Sequence, residues 1–227
     1  MVIIRKEVGE TPLEALERYR AGRSDLVGVP MTYAGRLDPM ACGELMILIG
    51  DECKDKARYL GLDKEYEVEI VLGITTDTHD ALGLAAVAMP SALLLQNDYN
   101  RSHFIKLLEK YVGRFEQEYP KYSSKMFSWK GDEPPTKDVE IYSIDLLESG
   151  KINSAELKTR IFSMIGKVKG DFRQEEIKRK WEEVLVKSKD EFLIQKIRVK
   201  CSSGTYMRLL ADRVGGFALS INRTAIL

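Results

Sequence analysis

An α+β fold is what this 227-residue sequence predicts, on two periodic patterns and one absence. Tyr66, Val68, Ile70 and Leu72 alternate with Glu67, Glu69 and Val71 as a half-buried strand does. Phe104, Leu107, Leu108 and Tyr111 recur at helical spacing. No internal repeat, low-complexity tract or linker divides the chain, so a single domain over 1–227 is expected.

The elements follow in order. Thr11-Pro12-Leu13-Glu14 opens a helix: Thr11 caps it, Pro12 takes the first helical position, and Glu14 reaches back to complete a capping box. That helix is expected to run to about Tyr19. Next comes Tyr33-Ala34-Gly35-Arg36-Leu37-Asp38-Pro39-Met40-Ala41, a tight turn bracketed by glycine and proline. Pro39 fixes its own backbone and pushes Asp38 toward extended geometry, and the run Leu45-Met46-Ile47-Leu48-Ile49 reads as a buried strand behind it. On these residues alone Asp38 is either a carboxylate presented by a braced turn or an aspartate that caps it.

Asp51 to Leu60 reads as a short helix that Gly61 ends, and Gly73 ends the Tyr66 strand. Ile74 to Gly83 is too dense in Thr and Asp for regular structure. A helix from about Ser102 to Val112 stops at Gly113. Pro120 to Pro135 is a long loop with Lys121, Tyr122, Lys125, Phe127, Trp129 and Lys130. Such a mixture suits RNA, whose bases stack on rings while phosphates meet lysines, and equally suits a partly packed lid. Val139 to Leu146 returns to strand character. Helical periodicity from Ala155 to Val186 breaks near Gly166 and Gly170, with Ile177, Trp181, Val184 and Leu185 as a core stripe. Phe192 and Ile194, then Ile197, Val199 and Cys201, form a strand whose alternation slips once, which suggests a bulge. It leads to Ser202-Ser203-Gly204-Thr205-Tyr206-Met207-Arg208, a glycine turn that opens a helix.

Lys plus Arg and Asp plus Glu stand at 35 each, so bulk charge does not mark a nucleic-acid binder. Acids gather at Glu65, Glu67 and Glu69 and at Asp132-Glu133, bases at Lys167, Lys169 and Lys178-Arg179-Lys180. A basic face on a neutral molecule and plain solvated faces both fit that distribution. Charged residues follow Met1 closely where a signal peptide needs an apolar segment, and no run approaches the ~18 apolar residues of a membrane span. A cytoplasmic protein is expected. Cys42, Cys53 and Cys201 have no paired zinc spacing, and His79 and His103 share no ligand spacing with them, so free thiols and no metal are expected. Asp77 and Asp80 lack the glycine and glutamate spacing of an EF-hand.

Several polar turns recur beside strands, and with Lys64-Glu65-Tyr66 they resemble the TruB family of RNA pseudouridine synthases. The pieces run in order: Lys6 to Pro12, Gly35 to Gly43, Lys64-Glu65-Tyr66, Gly73 to Gly83, Pro120 to Lys125, Cys201 to Arg208, and Ile221-Asn222-Arg223-Thr224. The resemblance implies the pseudouridine synthase fold, a mixed and mostly antiparallel sheet flanked by helices around a central RNA-binding cleft. It also implies an isomerase that cuts the N-glycosidic bond of a uridine, turns the uracil and rejoins it through C5, with no cofactor. The implied substrate is a uridine in a structured RNA loop, in tRNA the T-arm uridine 55. Asp38 would attack the nucleotide at C1′ or at C6, between which the sequence does not choose. Tyr66 would stack under the uracil and Ile221 cover its other face. Arg208 would pair with Asp38 and meet the phosphate, Tyr206 would pack the pocket, and Thr76, Asp77 and Thr78 would line the loop beside the base. Lys6, Tyr33 and Arg36 are implied RNA contacts.

Departures from the family pattern shape the remaining expectations. Tyr33 stands where bacterial members usually have histidine, Glu7 and Tyr119 replace prolines, and the loop after Lys125 is shorter and more aromatic. The sequence stops at Leu227, so no C-terminal PUA domain is expected, and with it no guide RNA; a monomer acting alone on tRNA is the reading. The alternatives are an RNA-binding or RNA-folding protein of this fold that has lost turnover, and a small-molecule enzyme with Asp38 as nucleophile.

Overall fold

The computed structural model describes residues 1–88, 101–123, 130, 135–188 and 190–227. An eight-stranded sheet organises them, in the order β1, β3, β10, β4, β9, β8, β7, with β2 paired to β3. The strands are β1 (Val2–Lys6), β2 (Met31–Ala34), β3 (Ala41–Ile49), β4 (Lys64–Leu72), β7 (Gly113–Glu118), β8 (Thr136–Asn153), β9 (Glu191–Cys201) and β10 (Gly216–Ile226). Neighbours are antiparallel except β3 and β10, which run parallel through Ile221 opposite Ala41 and Arg223 opposite Gly43. A small separate sheet pairs β5 (Ile74–Thr76) with β6 (Ala85–Val87).

Two apolar cores lie against this sheet. Tyr66, Val68, Ile70 and Leu72 of β4 pack with Ile197, Val199 and Cys201 of β9. Over them lie Phe104 and Leu108 from helix α3 (Arg101–Glu109) and Leu210 from helix α6 (Met207–Arg213). The second core gathers Val71, Phe217 and Leu219 beneath helices α4 (Ser154–Ile165) and α5 (Gln174–Lys187), with the Trp181 ring tilted 57° against that of Phe217 at 4.9 Å. Each large apolar side chain so buried stabilises the fold by about 1.5–3 kcal/mol. This double burial explains the slip in β9: Phe192 and Ile194 face the second core, while Ile197, Val199 and Cys201 face the first. The expected bulge is absent from β9, and the extra residues, Tyr142 and Leu147, belong to its partner β8.

Helix α1 (Pro12–Arg20) opens with both capping-box bonds in place. The segment read as one short helix divides into a 3₁₀ turn, Gly50–Asp55, and helix α2 (Lys56–Leu60), and Gly61 ends it in right-handed geometry at φ −73°. Contrary to the sequence reading, Ile74 to Thr76 is regular: the Thr76 hydroxyl donates to Asp80 O at 2.8 Å, folding the polar turn internally and freeing the strand to pair. Strand β8 extends well past both expected ends. Lys125, Phe127, Trp129 and the Asp132-Glu133 pair lie outside the described residues. No described helix is long and apolar enough to cross a membrane.

Candidate active site

Local sequence builds the Asp38 turn from behind. Gly35 adopts φ +79°, a left-handed conformation that glycine reaches without a side-chain clash. Ala41 N donates to Asp38 O at 3.0 Å and Gly9 N to Pro39 O at 2.9 Å, closing the turn and tying it to the segment after β1. Two buried cations brace it. The Lys6 ammonium donates to Ala41 O at 2.6 Å, Glu7 O at 2.9 Å and Pro39 O at 3.4 Å. The Arg223 guanidinium donates to Glu44 O at 2.6 Å and Gly35 O at 3.1 Å. Buried charge is tolerated where hydrogen bonds replace water, and carbonyl oxygens do so here. Burial still pushes the Lys6 ammonium down to about 8.

Antiparallel register sets the floor of the site. Arg223 lies opposite Tyr66 and Ile221 opposite Val68, so β4 and β10 turn Tyr66, Ile221 and Arg223 to one face. Above that face opens a cavity of about 520 Å³, lined by Asp38, Tyr66, Ile221, Arg36, Tyr206 and Arg208 and by the cations Lys64, Lys137 and Arg223. Burial pushes the Tyr66 phenol up, partly offset by Arg223. Lys64 is pushed down to about 8, by burial first and by the Arg223 charge second. Its ammonium turns to the Leu60 carbonyl at 3.1 Å and to that of Leu62.

Arg208, only 2 % exposed, is the centre of the polar arrangement. Its Nε donates to Asp38 Oδ2 at 2.8 Å, Nη1 to Thr78 O at 2.9 Å and Nη2 to Tyr122 O at 2.8 Å. A guanidinium is a rigid fork, so three acceptors in three directions fix its plane, and the plane fixes the carboxylate. The Asp38 side chain nevertheless keeps 36 % of its surface exposed. The turn that carries Arg208 is itself held. Ser202 exchanges two bonds with Glu140, its N–H donating to the Glu140 carbonyl and its hydroxyl accepting from the Glu140 N–H, each at 2.8 Å. Lys137 donates to Ser203 O at 2.6 Å. The buried Gln117 amide donates to Gly204 O at 3.2 Å and accepts from Tyr206 N at 3.1 Å. Tyr206 meets Tyr119 edge-on at 5.9 Å.

Of the residues singled out in the sequence, Asp38, Tyr66, Arg208, Arg36, Tyr206 and Ile221 share the cavity. The others stand elsewhere. Lys6 is fully buried behind the turn, its ammonium turned to three carbonyls, and does not line the cavity. Thr76, Asp77 and Thr78 do not line the cavity. Thr76 and Thr78 direct their hydroxyls to Asp80, Thr78 offers its carbonyl to Arg208, and Asp77 pairs with Arg173 at 3.1 Å. Tyr33 packs on the cluster of Ala15, Leu16, Leu45 and Ile47, its ring 5.2 Å from the Lys56 ammonium. Sequence reasoning passed over Lys64, Arg223, Lys137 and Gln117 as site residues. A signal existed for the first two, since Lys64 falls in phase with Tyr66 and Val68, and Arg223 with Ile221, on strand faces that are otherwise apolar. Among the described residues, no three His, Cys, Asp or Glu side chains converge as a metal site requires.

Residues 29–164 match the model of the TruB family pseudouridylate synthase N-terminal domain. The chain is 28% identical over 226 residues to tRNA pseudouridine synthase B of Nitratidesulfovibrio vulgaris, covering 95% of this chain and 57% of that one. With tRNA pseudouridine synthase B of Francisella tularensis subsp. novicida it shares 33% over 208 residues, 85% of this chain and 54% of the other. It thus spans about half the length of the relatives it matches. A crystal structure of a Cbf5-Nop10-Gar1 complex shares the fold at a TM-score of 0.56 and 16% identity, covering 99% of this chain and 48% of that one. An H/ACA RNP bound to a substrate RNA containing 2′-deoxyuridine does so at 0.53 and 15%, covering 99% and 47%. Matched over more than half its length by the family model, and carrying an aspartate turn, a buried arginine and a tyrosine floor in one cavity, the chain belongs to the TruB family of pseudouridylate synthases.

Proposed function

We propose that this chain isomerises a uridine to pseudouridine in a structured RNA, the T-arm loop of tRNA, with Asp38 as the nucleophile. The observation that carries the reading is a part-exposed carboxylate, held 2.8 Å from a buried guanidinium, in a cavity with an aromatic floor. The names of the relatives, tRNA pseudouridine synthase B, support tRNA as the substrate. The cavity, at about 520 Å³, falls within the usual span of small-ligand pockets and suits one extruded nucleotide. Extrusion costs on the order of a few kcal/mol, and one base on one aromatic ring returns about 1–3 kcal/mol, so Tyr66 below and Ile221 beside it are compensation of the right scale.

The chemistry balances within the nucleotide. Asp38 adds to C1′ or C6, the N1–C1′ bond breaks, and the uracil turns over the Tyr66 ring. C5 then bonds to C1′, the C5 proton passes to a base, N1 gains a proton and Asp38 departs. No electron is gained or lost, so the reaction requires no redox partner. Arg208 aims the carboxylate, and Lys64, Lys137 and Arg223 give the cavity a positive field that suits the phosphates on either side of the extruded base. Incubation of the purified chain with an unmodified tRNA transcript, with no guide RNA added, followed by mapping of pseudouridine, tests the reading. Product in the T-arm loop is expected; an unmodified transcript at every enzyme concentration refutes it.

A further inference from the structure

Between β8 and β9 the helical hairpin of α4 and α5 presents, on its connecting loop, one residue that touches both segments holding Arg208. Arg173 Nη2 donates to Asp77 Oδ2 at 3.1 Å, and its guanidinium carbon lies 5.1 Å from the centre of the Tyr122 ring. The backbone acceptors of Arg208 belong to these same segments: the carbonyl of Thr78, next to Asp77, and that of Tyr122 itself. Arg173 therefore bridges two strips of chain that are otherwise far apart in sequence and that meet at the arginine behind Asp38.

Its own conformation is unusual. Arg173 has φ +62°, left-handed for a residue with a side chain, which costs on the order of 1 kcal/mol and persists only where surroundings impose it. The surroundings do impose it. Asp171 Oδ1 accepts from Arg173 N at 3.2 Å, and the Gln174 amide accepts from Phe172 N at 2.8 Å and donates to Gly170 O at 2.7 Å. Trp181 on α5 donates its indole N–H to Ala81 O at 3.2 Å, pinning the hairpin to the loop that carries Asp77. The Arg173–Asp77 pair itself is half-open, at 37 % and 28 % side-chain exposure, and pairs so placed contribute little to stability. A strained backbone maintained for a weakly stabilising contact points to placement rather than to folding.

We propose that Arg173 is a positioning residue for the isomerisation: it clamps the Asp77 loop and the Tyr122 segment together, fixes the plane of Arg208, and so aims Asp38. The inference rests on the function proposed above. Arg173→Met keeps the length and apolar stem and removes the charge; Arg173→Lys restores the charge without the flat fork. In single-turnover reactions with T-arm RNA, Arg173→Met is expected to slow product formation by ~10- to 100-fold, the scale of a small misplacement of a reacting group. RNA affinity and thermal midpoint stay unchanged, Arg173→Lys recovers part of the rate, and adding Asp77→Asn to Arg173→Met costs nothing further. On the free proteins, the amides of Tyr119, Lys121, Tyr122 and Ser123 exchange faster in Arg173→Met than in wild type. A wild-type rate in Arg173→Met, or unchanged exchange at those amides, overturns the clamp. If the wild-type chain itself forms no pseudouridine, the proposed reaction fails separately, and the exchange comparison alone then decides whether Arg173 holds the site together.

Discussion

Asp38 is aimed by Arg208, and each is presented by its own turn, between Gly35 and Pro39 in one case and after Gly204 in the other. Their 2.8 Å contact spans 170 positions and was reachable only through the family pattern. Lys6, an RNA contact by family resemblance, has its ammonium claimed by three carbonyls behind the turn, a placement that no local signal in the sequence shows. Arg208→Lys tests the fork: an ammonium cannot reach Asp38, Thr78 and Tyr122 together, and a rate loss of ~100-fold with intact folding is expected in single-turnover kinetics. Lys6 and Lys64 give a second, independent prediction. Both are held near 8 in the folded chain against 10.5 when exposed, so the unfolded chain binds more protons above about pH 8. Stability therefore rises with pH through that window. Cys201, pushed from 9.0 to about 11 by burial, opposes the rise above pH 9 because the folded chain keeps its proton. Urea midpoints taken at about pH 8 and about pH 9 are expected to increase, and less steeply in Lys64→Met; a fall in the wild type contradicts this.

Among the elements, the pairing of β3 with β10 matters most, since it sets Arg223 behind the Asp38 turn. Gly43 makes it possible: at φ +110°, a β-carbon there would lie 2.2 Å from Arg223 O. Gly43→Ala must displace backbone, and a destabilisation of about 1–3 kcal/mol, measured by chemical denaturation, is expected together with lost activity. Strand alternation and capping chemistry made α1, β4 and α5 legible, because those signals are local. The reach of β8 and the true site of its bulges were not, because they depend on which residue of β9 lies opposite. The pairing of Ile74 to Thr76 was hidden for the same reason: its polar residues bond within their own turn, a choice that composition does not reveal.

At the scale of the whole molecule, one sheet with a core against each face brings to a single cavity residues from the first strands and the last. The chain carries equal numbers of acidic and basic residues, and much of that charge is spent internally, as where Glu67 pairs with Arg198 at 2.8 Å and Lys196 at 3.2 Å across β4 and β9. With no net positive charge on the chain, the cations offered to phosphates are those gathered locally, as Lys64, Lys137 and Arg223 are around the cavity. Affinity for RNA should therefore fall with salt by a log–log slope of only about −3, a handful of phosphates, and a slope near −8 or steeper contradicts that distribution. The most direct measurement of all removes the anion and nothing else. Asp38→Asn preserves the size of the side chain and a hydrogen-bond acceptor for Arg208. With enzyme in excess over T-arm RNA, the wild type is expected to convert the uridine in a single turnover, and Asp38→Asn to bind the RNA and leave it unchanged. Pseudouridine formed by Asp38→Asn at the wild-type rate would contradict the assignment of Asp38 as the nucleophile.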